Sequence, residues 1–220
     1  MPDMKLMRKG GAGIVFYVLC GHENGFADKV KCNADIVCVD AGDWNRDMSP
    51  WYAPKCFRDG EDFGGRAGEY LIKLTRAIPE FEKKNGISPA HRGLCGYSLA
   101  GLCALYGLYA SDMFDGAVSA SGSMWFDGWT EFMRGNRPVN GHVCAYLSVG
   151  DRESRTRNQR LARVEECTRE ACEILNAGGN QAMFELNPGN HFNDPDGRLA
   201  RGMDALFDMY TKKLTDGAGR

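Results

Sequence analysis

The sequence predicts a three-layer α/β fold with a mostly parallel central sheet, and two observations lead to this prediction. Six short runs rich in Val, Ile, Leu and aromatic residues are continuously apolar, which is typical of strands buried on both faces. Stretches with helical periodicity lie between most of these runs, and this alternation is typical of a parallel sheet covered by helices. We expect one domain over residues 1–220, because this length suits one sizeable core and is short for two.

Glycine follows nearly all of the predicted strands, either at once or soon after the apolar run. These strands are residues 13–21, 34–42, 91–98, 115–123, 142–150 and 181–189. The predicted helices are residues 68–84, 99–110, 154–179 and 197–214. The second of these helices is apolar nearly all round and should therefore be buried.

One segment, residues 43–65, has neither helical nor strand periodicity but carries five aromatic residues. A long irregular loop in a compact domain is usually functional or disordered, and this aromatic content argues against disorder. We therefore predict that Trp44 or Trp51 of this segment, or Trp125 after the fourth strand, contributes to a substrate pocket. Packing in the core is the alternative for all three.

Composition argues against two classes of protein. The net charge is −2, whereas nucleic-acid-binding domains usually carry a basic excess. No run approaches the roughly 20 apolar residues of a membrane span, so we expect neither a nucleic-acid nor a membrane partner. Lys5 and Arg8 before the apolar run 14–20 superficially resemble a signal peptide, but Leu19 fits a cleavage site poorly and the run fits a buried strand.

The nine cysteines include no C-x-x-C pair, so a zinc site built from thiolates is not expected. Most of them lie within apolar runs, where cysteine behaves as a small hydrophobic residue. The simplest interpretation is a set of reduced thiols in a cytoplasmic protein. We expect no metal and no organic cofactor.

A single serine, Ser98, stands between the third predicted strand and the buried helix, in the hexapeptide GYSLAG at 96–101. A strand–turn–helix context with small flanking residues is typical of a nucleophile elbow, although the common form has Gly where this chain has Ala100. The start of the helix favours negative charge near the hydroxyl. The backbone N–H of Leu99 and the loop at Gly21–His22 are the predicted oxyanion donors. The alternative role for the serine is a simple helix cap.

Partners for this serine follow later strands, in the order serine, acid, histidine that an elbow of this kind requires. Asp151 and Glu153 come directly after the fifth predicted strand, and His191 follows the last. Active sites of open α/β sheets collect at the carboxyl ends of the strands, so we expect these side chains to meet. Arg152 lies between the two acids and is a candidate contact for an anionic group.

Sequence position favours Glu153 over Asp151 as the acid. Asp151 directly follows Gly150, and a short Asp side chain at such a place readily bonds nearby backbone N–H groups to shape the turn. Glu153 lies at the far end of the loop and its side chain is one carbon longer. Both acids remain candidates.

At these residues the chain resembles a family, the α/β-hydrolase serine esterases of the esterase D and enterochelin (siderophore) esterase type. The resemblance covers nearly all of the chain and rests on four motifs: GYSLAG at 96–101, SGSMW at 121–125, SVGDRE at 148–153 and NPGNHF at 187–192. It implies an α/β-hydrolase fold, Ser98 as nucleophile, His191 as base and an acid between residues 151 and 153.

The resulting hypothesis is a serine hydrolase that cleaves small-molecule carboxylic esters through an acyl-enzyme. One alternative is an acyltransferase that uses the same triad, with an alcohol in place of water. The other is a non-catalytic binding protein of the same fold. The acyl and alcohol groups and the oligomeric state are left open by the sequence.

Overall fold

The computed structural model describes residues 2–21 and 25–217. Its strands are β1 (Met4–Arg8), β2 (Ile14–Cys20), β3 (Asp35–Asp40), β4 (Tyr52–Ala53), β5 (Phe63–Gly64), β6 (His91–Tyr97), β7 (Gly116–Ala120), β8 (Cys144–Gly150) and β9 (Gln181–Asn187). Its α-helices are α1 (Phe26–Lys29), α2 (Trp44–Asp47), α3 (Ala67–Asn85), α4 (Leu99–Ala110), α5 (Trp129–Gly135), α6 (Val164–Ala177) and α7 (Pro195–Gly217).

The central sheet has the strand order β1-β3-β2-β6-β7-β8-β9. Strand β1 runs antiparallel to β3, and the remaining neighbours pair in parallel. Helices α3, α4 and α6 contribute to the hydrophobic core on one face, and α1 and α7 to the core on the other. The predicted three-layer α/β fold with a mostly parallel sheet is confirmed.

Strand β2 shows why the apolar runs are continuous. Tyr17 and Leu19 pack into one core, whereas Phe16 and Val18 pack into the other, and all four are buried. Since successive side chains of a strand point to opposite faces, a strand with helices on both faces needs apolar residues at every position.

Two predicted segments differ from the structure. The helix expected over residues 154–179 begins only at Val164, because tertiary contacts hold the preceding turns. The Asn158 amide donates to the carbonyl oxygen of Cys56, and Arg160 donates to the carbonyl of Pro54. The segment 43–65 is not wholly irregular, since it contains α2 and the antiparallel pair β4–β5. These elements are two to four residues long, too short for a periodic pattern.

The cysteines also differ from the expectation of reduced thiols. Cys20 at the end of β2 and Cys38 in the neighbouring β3 form a disulfide, and the other seven cysteines are not disulfide-bonded. Spacing along the chain could not reveal this pair, because the sheet brings the two together. Disulfides persist mainly in oxidising compartments, so the cysteines no longer support a cytoplasmic location, which stays a prediction.

A thiol titration tests this pairing. In denaturant without reductant we expect seven reactive thiols per chain, and all nine after reduction. Cys38→Ser should release one further thiol, that of Cys20, under the non-reducing condition. Nine reactive thiols before reduction would contradict the disulfide.

Within residues 2–21 and 25–217, the structure contains no helix with the length and apolar character needed to span a bilayer.

Candidate active site

Ser98 lies in the turn between β6 and α4 with an unusual backbone conformation, φ 59° and ψ −124°. Positive φ is uncommon for a residue with a side chain, and such strain costs of order 1–3 kcal/mol. Strain of this kind persists only where the surrounding structure holds it. Here the Ser98 N–H donates to the carbonyl of Ala120, and its own carbonyl accepts from Leu102 and Ser123.

The small residues around Ser98 allow strand β6 and helix α4 to approach each other closely. A Cβ atom on Gly96 would lie 2.2 Å from the Ala100 carbonyl oxygen, and one on Gly101 would lie 3.1 Å from the carbonyl oxygen of Gly96. Ala100 itself is fully buried. The Ala that stands in place of the more common Gly is therefore accommodated within the core beside this turn.

The structure brings Ser98, His191 and Glu153 together in one hydrogen-bonded chain. His191 Nε2 is 3.0 Å from Ser98 Oγ, and His191 Nδ1 is 2.7 Å from Glu153 Oε2. The three residues follow the carboxyl ends of β6, β9 and β8 respectively, which lie in the same half of the sheet. The imidazole is thus placed to take a proton from the hydroxyl while the carboxylate holds its other nitrogen.

Glu153 is almost completely buried, with 4% of its side chain exposed. Its Oε1 atom, the oxygen that does not face His191, accepts three hydrogen bonds. Oε1 accepts hydrogen bonds from the Gly150 N–H at 2.6 Å, the Ser121 hydroxyl at 2.8 Å and the Arg198 guanidinium at 2.8 Å. This leaves Oε2 to His191. The carboxylate is therefore fixed in one orientation.

The pKa of Glu153 lies below its ordinary value. Burial raises it, but the hydrogen bond and charge of His191, the Gly150 N–H and the Ser121 hydroxyl together lower it by more. The ionised carboxylate thus contributes stability at pH values above the pKa of the unfolded chain. That contribution is lost as the pH falls through the folded-state pKa.

Arg198 and Ser121 hold the Glu153 carboxylate in place, and neither residue was predicted from the sequence. The Arg198 side chain is 1% exposed and also donates to the carbonyls of Pro188 and Asn190. The absence of a side chain at Gly150 makes room for it, since a Cβ there would lie 2.9 Å from the guanidinium. Ser121 belongs to the SGSMW motif at 121–125, whereas the only signal for Arg198 was an arginine beside apolar residues of the last helix.

We expect Arg198→Met to reduce the free energy of unfolding by about 3–5 kcal/mol, because it leaves the buried Glu153 carboxylate without its countercharge. The double variant Arg198→Met/Glu153→Gln should lose less than the single one, since the charge is then removed. Urea denaturation measures both. A single variant within about 1 kcal/mol of the parent chain would show that the ion pair contributes little.

Asp151, the other acid candidate, is bonded elsewhere. Its Oδ1 accepts the Gly189 N–H at 2.7 Å, and its carboxylate lies 3.7 Å from the Arg152 guanidinium. It thereby ties the turn after β8 to the loop after β9. Its partner is the backbone of the loop that carries His191, not the imidazole.

The structure describes Leu99 and Gly21 of the predicted oxyanion donors, but not His22. Leu99 is the first residue of α4, so its N–H has no carbonyl partner within the helix and adjoins the Ser98 hydroxyl. Gly21 lines a surface pocket with Cys20 and Asp40, and it does not line either of the two cavities that contain Ser98. His22 lies outside the described residues. The contribution of the Gly21–His22 loop stays a prediction.

Two cavities meet at Ser98. The narrow cavity has a volume of about 120 Å³ and the wide cavity one of about 480 Å³. Trp44 lines the narrow one and Trp125 lines both. Trp51 lines neither, because its ring stacks on Trp129 within an aromatic cluster.

No cluster of three His, Cys, Asp or Glu residues in the described ranges could hold a metal ion.

Comparison with known proteins decides the family. The Esterase family model matches residues 24–192, which is most of the chain. The chain belongs to the Esterase family. It is therefore an enzyme that hydrolyses carboxylic esters. Among curated proteins, none matches this sequence.

Solved structures with the same fold agree with this Esterase family membership. An IroE-like serine hydrolase from Shewanella oneidensis is 15% identical, with a TM-score of 0.73 over 94% of this chain and 80% of its own. The siderophore hydrolase EstA from Aspergillus nidulans is 20% identical, with a TM-score of 0.67 over 94% and 89%. Enterochelin esterase from Shigella flexneri is 15% identical, with a TM-score of 0.68 over 94% of this chain and 54% of its own. At these identities the likeness establishes the fold.

Proposed function

We propose that this esterase acts through a Ser98–His191–Glu153 triad and an acyl-enzyme intermediate. Ser98 Oγ attacks the ester carbonyl while His191 Nε2 takes the hydroxyl proton. The same proton passes to the leaving alkoxide as the carbon–oxygen bond breaks. Water then attacks the acyl-enzyme, gives a proton to His191, and releases the acid as Ser98 recovers its hydrogen.

The observation that carries this proposal is the continuous chain of hydrogen bonds at 3.0 and 2.7 Å from hydroxyl to imidazole to buried carboxylate. The paired carboxylate holds the imidazole in the tautomer that accepts the serine proton and stabilises the imidazolium that forms. The start of α4 favours negative charge at the oxyanion, and the Leu99 N–H supplies one donor.

A panel of p-nitrophenyl esters of increasing acyl length tests the proposed reaction. We expect release of p-nitrophenol by the parent chain and its loss in the Ser98→Ala variant. Added acceptor alcohols separate the rival acyltransferase activity, because transfer would yield a new ester in place of the free acid. Hydrolysis that survives the Ser98 substitution would remove the triad from the mechanism.

We further propose that the natural ester is anionic and of siderophore type. Arg152 and Arg155 both line the wide cavity, which is large enough for a sizeable ligand. The proteins named above as a siderophore hydrolase and an enterochelin esterase share this fold. Many siderophores carry anionic oxygen donors for iron, which two guanidinium groups would attract.

The charge of the substrate is tested with a matched pair of esters, one neutral and one carrying a carboxylate on its alcohol. Replacing Arg152 and Arg155 by Gln should raise KM for the anionic ester and leave KM for the neutral ester nearly unchanged. The preference for the anionic ester should also weaken with added salt. Equal KM changes for both esters would exclude charge recognition at these arginines.

A further inference from the structure

The narrow and wide cavities at Ser98, called compartments below, share some lining residues. Each also has lining residues that the other lacks. Ser98 and Ser123 line both, as do the aromatic rings of Phe57 and Trp125. These two rings and Ser98 therefore lie where the two cavities meet. An ester bound at Ser98 has two arms, and each arm must enter one compartment.

The residues that line only one compartment indicate which group of the ester, acyl or alcohol, each compartment binds. Leu99, the predicted oxyanion donor, lines the narrow compartment only. His191 lines the wide compartment only, together with its neighbours Asn190 and Phe192. The oxygen of the departing alcohol must lie near His191 Nε2, because it receives its proton from that atom.

From this placement we infer that the wide compartment binds the alcohol and the narrow compartment binds the acyl group. The inference rests on the proposed triad mechanism, since it uses His191 as the proton donor to the leaving group. In the tetrahedral intermediate the oxyanion faces the Leu99 N–H and the alcohol oxygen faces the imidazole. The remaining substituent on the carbon, the acyl chain, then points to the side away from His191.

The size and walls of the narrow compartment limit the acyl group. Its volume is about 120 Å³, and its walls include the rings of Trp44, Phe57, Phe63 and Trp125. An apolar cavity of about 150 Å³ holds one benzene molecule. The narrow compartment is smaller than this benchmark, so we expect it to favour a short alkyl acyl chain. The wide compartment, at about 480 Å³, takes a much larger alcohol.

Substitutions in the two compartments should affect different steps of the reaction, because the alcohol leaves before deacylation. The acyl-enzyme retains the acyl group alone. A substitution in the narrow compartment therefore alters deacylation, whereas one in the wide compartment alters acylation only. This difference does not depend on which substrate is natural.

The test compares Trp44→Ala, in the narrow compartment, with Leu161→Ala, in the wide compartment. Trp44 is 39% exposed on the short helix α2, and the more conservative Trp44→Leu serves if the alanine variant folds poorly. One substrate series varies the acyl chain of p-nitrophenyl esters from two to ten carbons. The other series varies the alcohol of acetate esters. Stopped-flow burst kinetics give acylation and deacylation rates separately.

We expect Trp44→Ala to raise kcat/KM for long acyl chains relative to acetate by about tenfold or more, and to change the deacylation rate. Leu161→Ala should change the ranking of alcohols and leave the deacylation rate of a given acyl group within twofold of the parent value. The reverse pattern, or no change in either ranking, would overturn the assignment while ester hydrolysis at Ser98 stands. A parent chain that hydrolyses no ester, or a Ser98→Ala variant that remains active, would instead remove the triad mechanism itself.

Discussion

Ser98→Ala is expected to lower kcat by roughly 10³ to 10⁶ with the fold intact. The reason is that every later step of the proposed mechanism needs the covalent bond to this oxygen. The Ser98 hydroxyl is the group aligned with His191 Nε2 at 3.0 Å. The residual rate over water would come from the oxyanion donors and substrate binding alone.

A second substitution separates lost chemistry from lost structure. Ser98→Gly removes the same hydroxyl and relieves the backbone strain at φ 59°. We expect its Tm to equal or exceed that of the parent chain while its activity falls as far as that of Ser98→Ala. Retention of more than a tenth of the parent activity by both variants would end the assignment of Ser98 as nucleophile.

Glu153→Gln is expected to lower kcat by roughly 10² to 10⁴, the second largest effect. The glutamine oxygen can still accept from Gly150, Ser121 and Arg198, which directs its amide NH₂ toward His191 Nδ1. An amide donor there favours the tautomer with the proton on Nε2, which cannot accept the proton of Ser98. It also cannot stabilise the imidazolium.

Asp151→Asn is the matched control for this substitution. Its side-chain oxygen can still accept the Gly189 N–H that Asp151 binds at 2.7 Å, so the loop carrying His191 keeps its support. We expect a loss in kcat of less than about tenfold, because the imidazole has no bond to this side chain. Both variants are measured on one ester, with Tm as a check on folding. The reverse order of damage would make Asp151 the acid.

The features that could be predicted from the sequence are those that produce a pattern among residues near one another in the chain. The continuous apolar runs predicted the buried parallel strands. The strand–turn–helix at Ser98 and the loops after later strands predicted that Ser98 and His191 would meet an acid, with Glu153 favoured over Asp151. These residues lie at strand ends, and the order of a parallel sheet brings strand ends together. Their catalytic roles remain our proposal.

The features that sequence reasoning missed depend on contacts between distant segments. Strand β1 is short and pairs only at the sheet edge, so its residues resembled a basic leader. Arg198 lies far along the chain from Glu153, and an arginine near a helix start usually faces solvent. The disulfide joins Cys20 to Cys38 across neighbouring strands. Trp51 packs against α5, which has too few residues for its periodicity to be recognised.

The most direct test of the central claim, an activated serine at position 98, is labelling with a fluorophosphonate probe followed by mass spectrometry of the intact chain and its peptides. We expect one adduct per chain, located on Ser98, absent from Ser98→Ala and formed far more slowly in His191→Ala. A parent chain that stays unlabelled, or an adduct at another residue, would contradict the account.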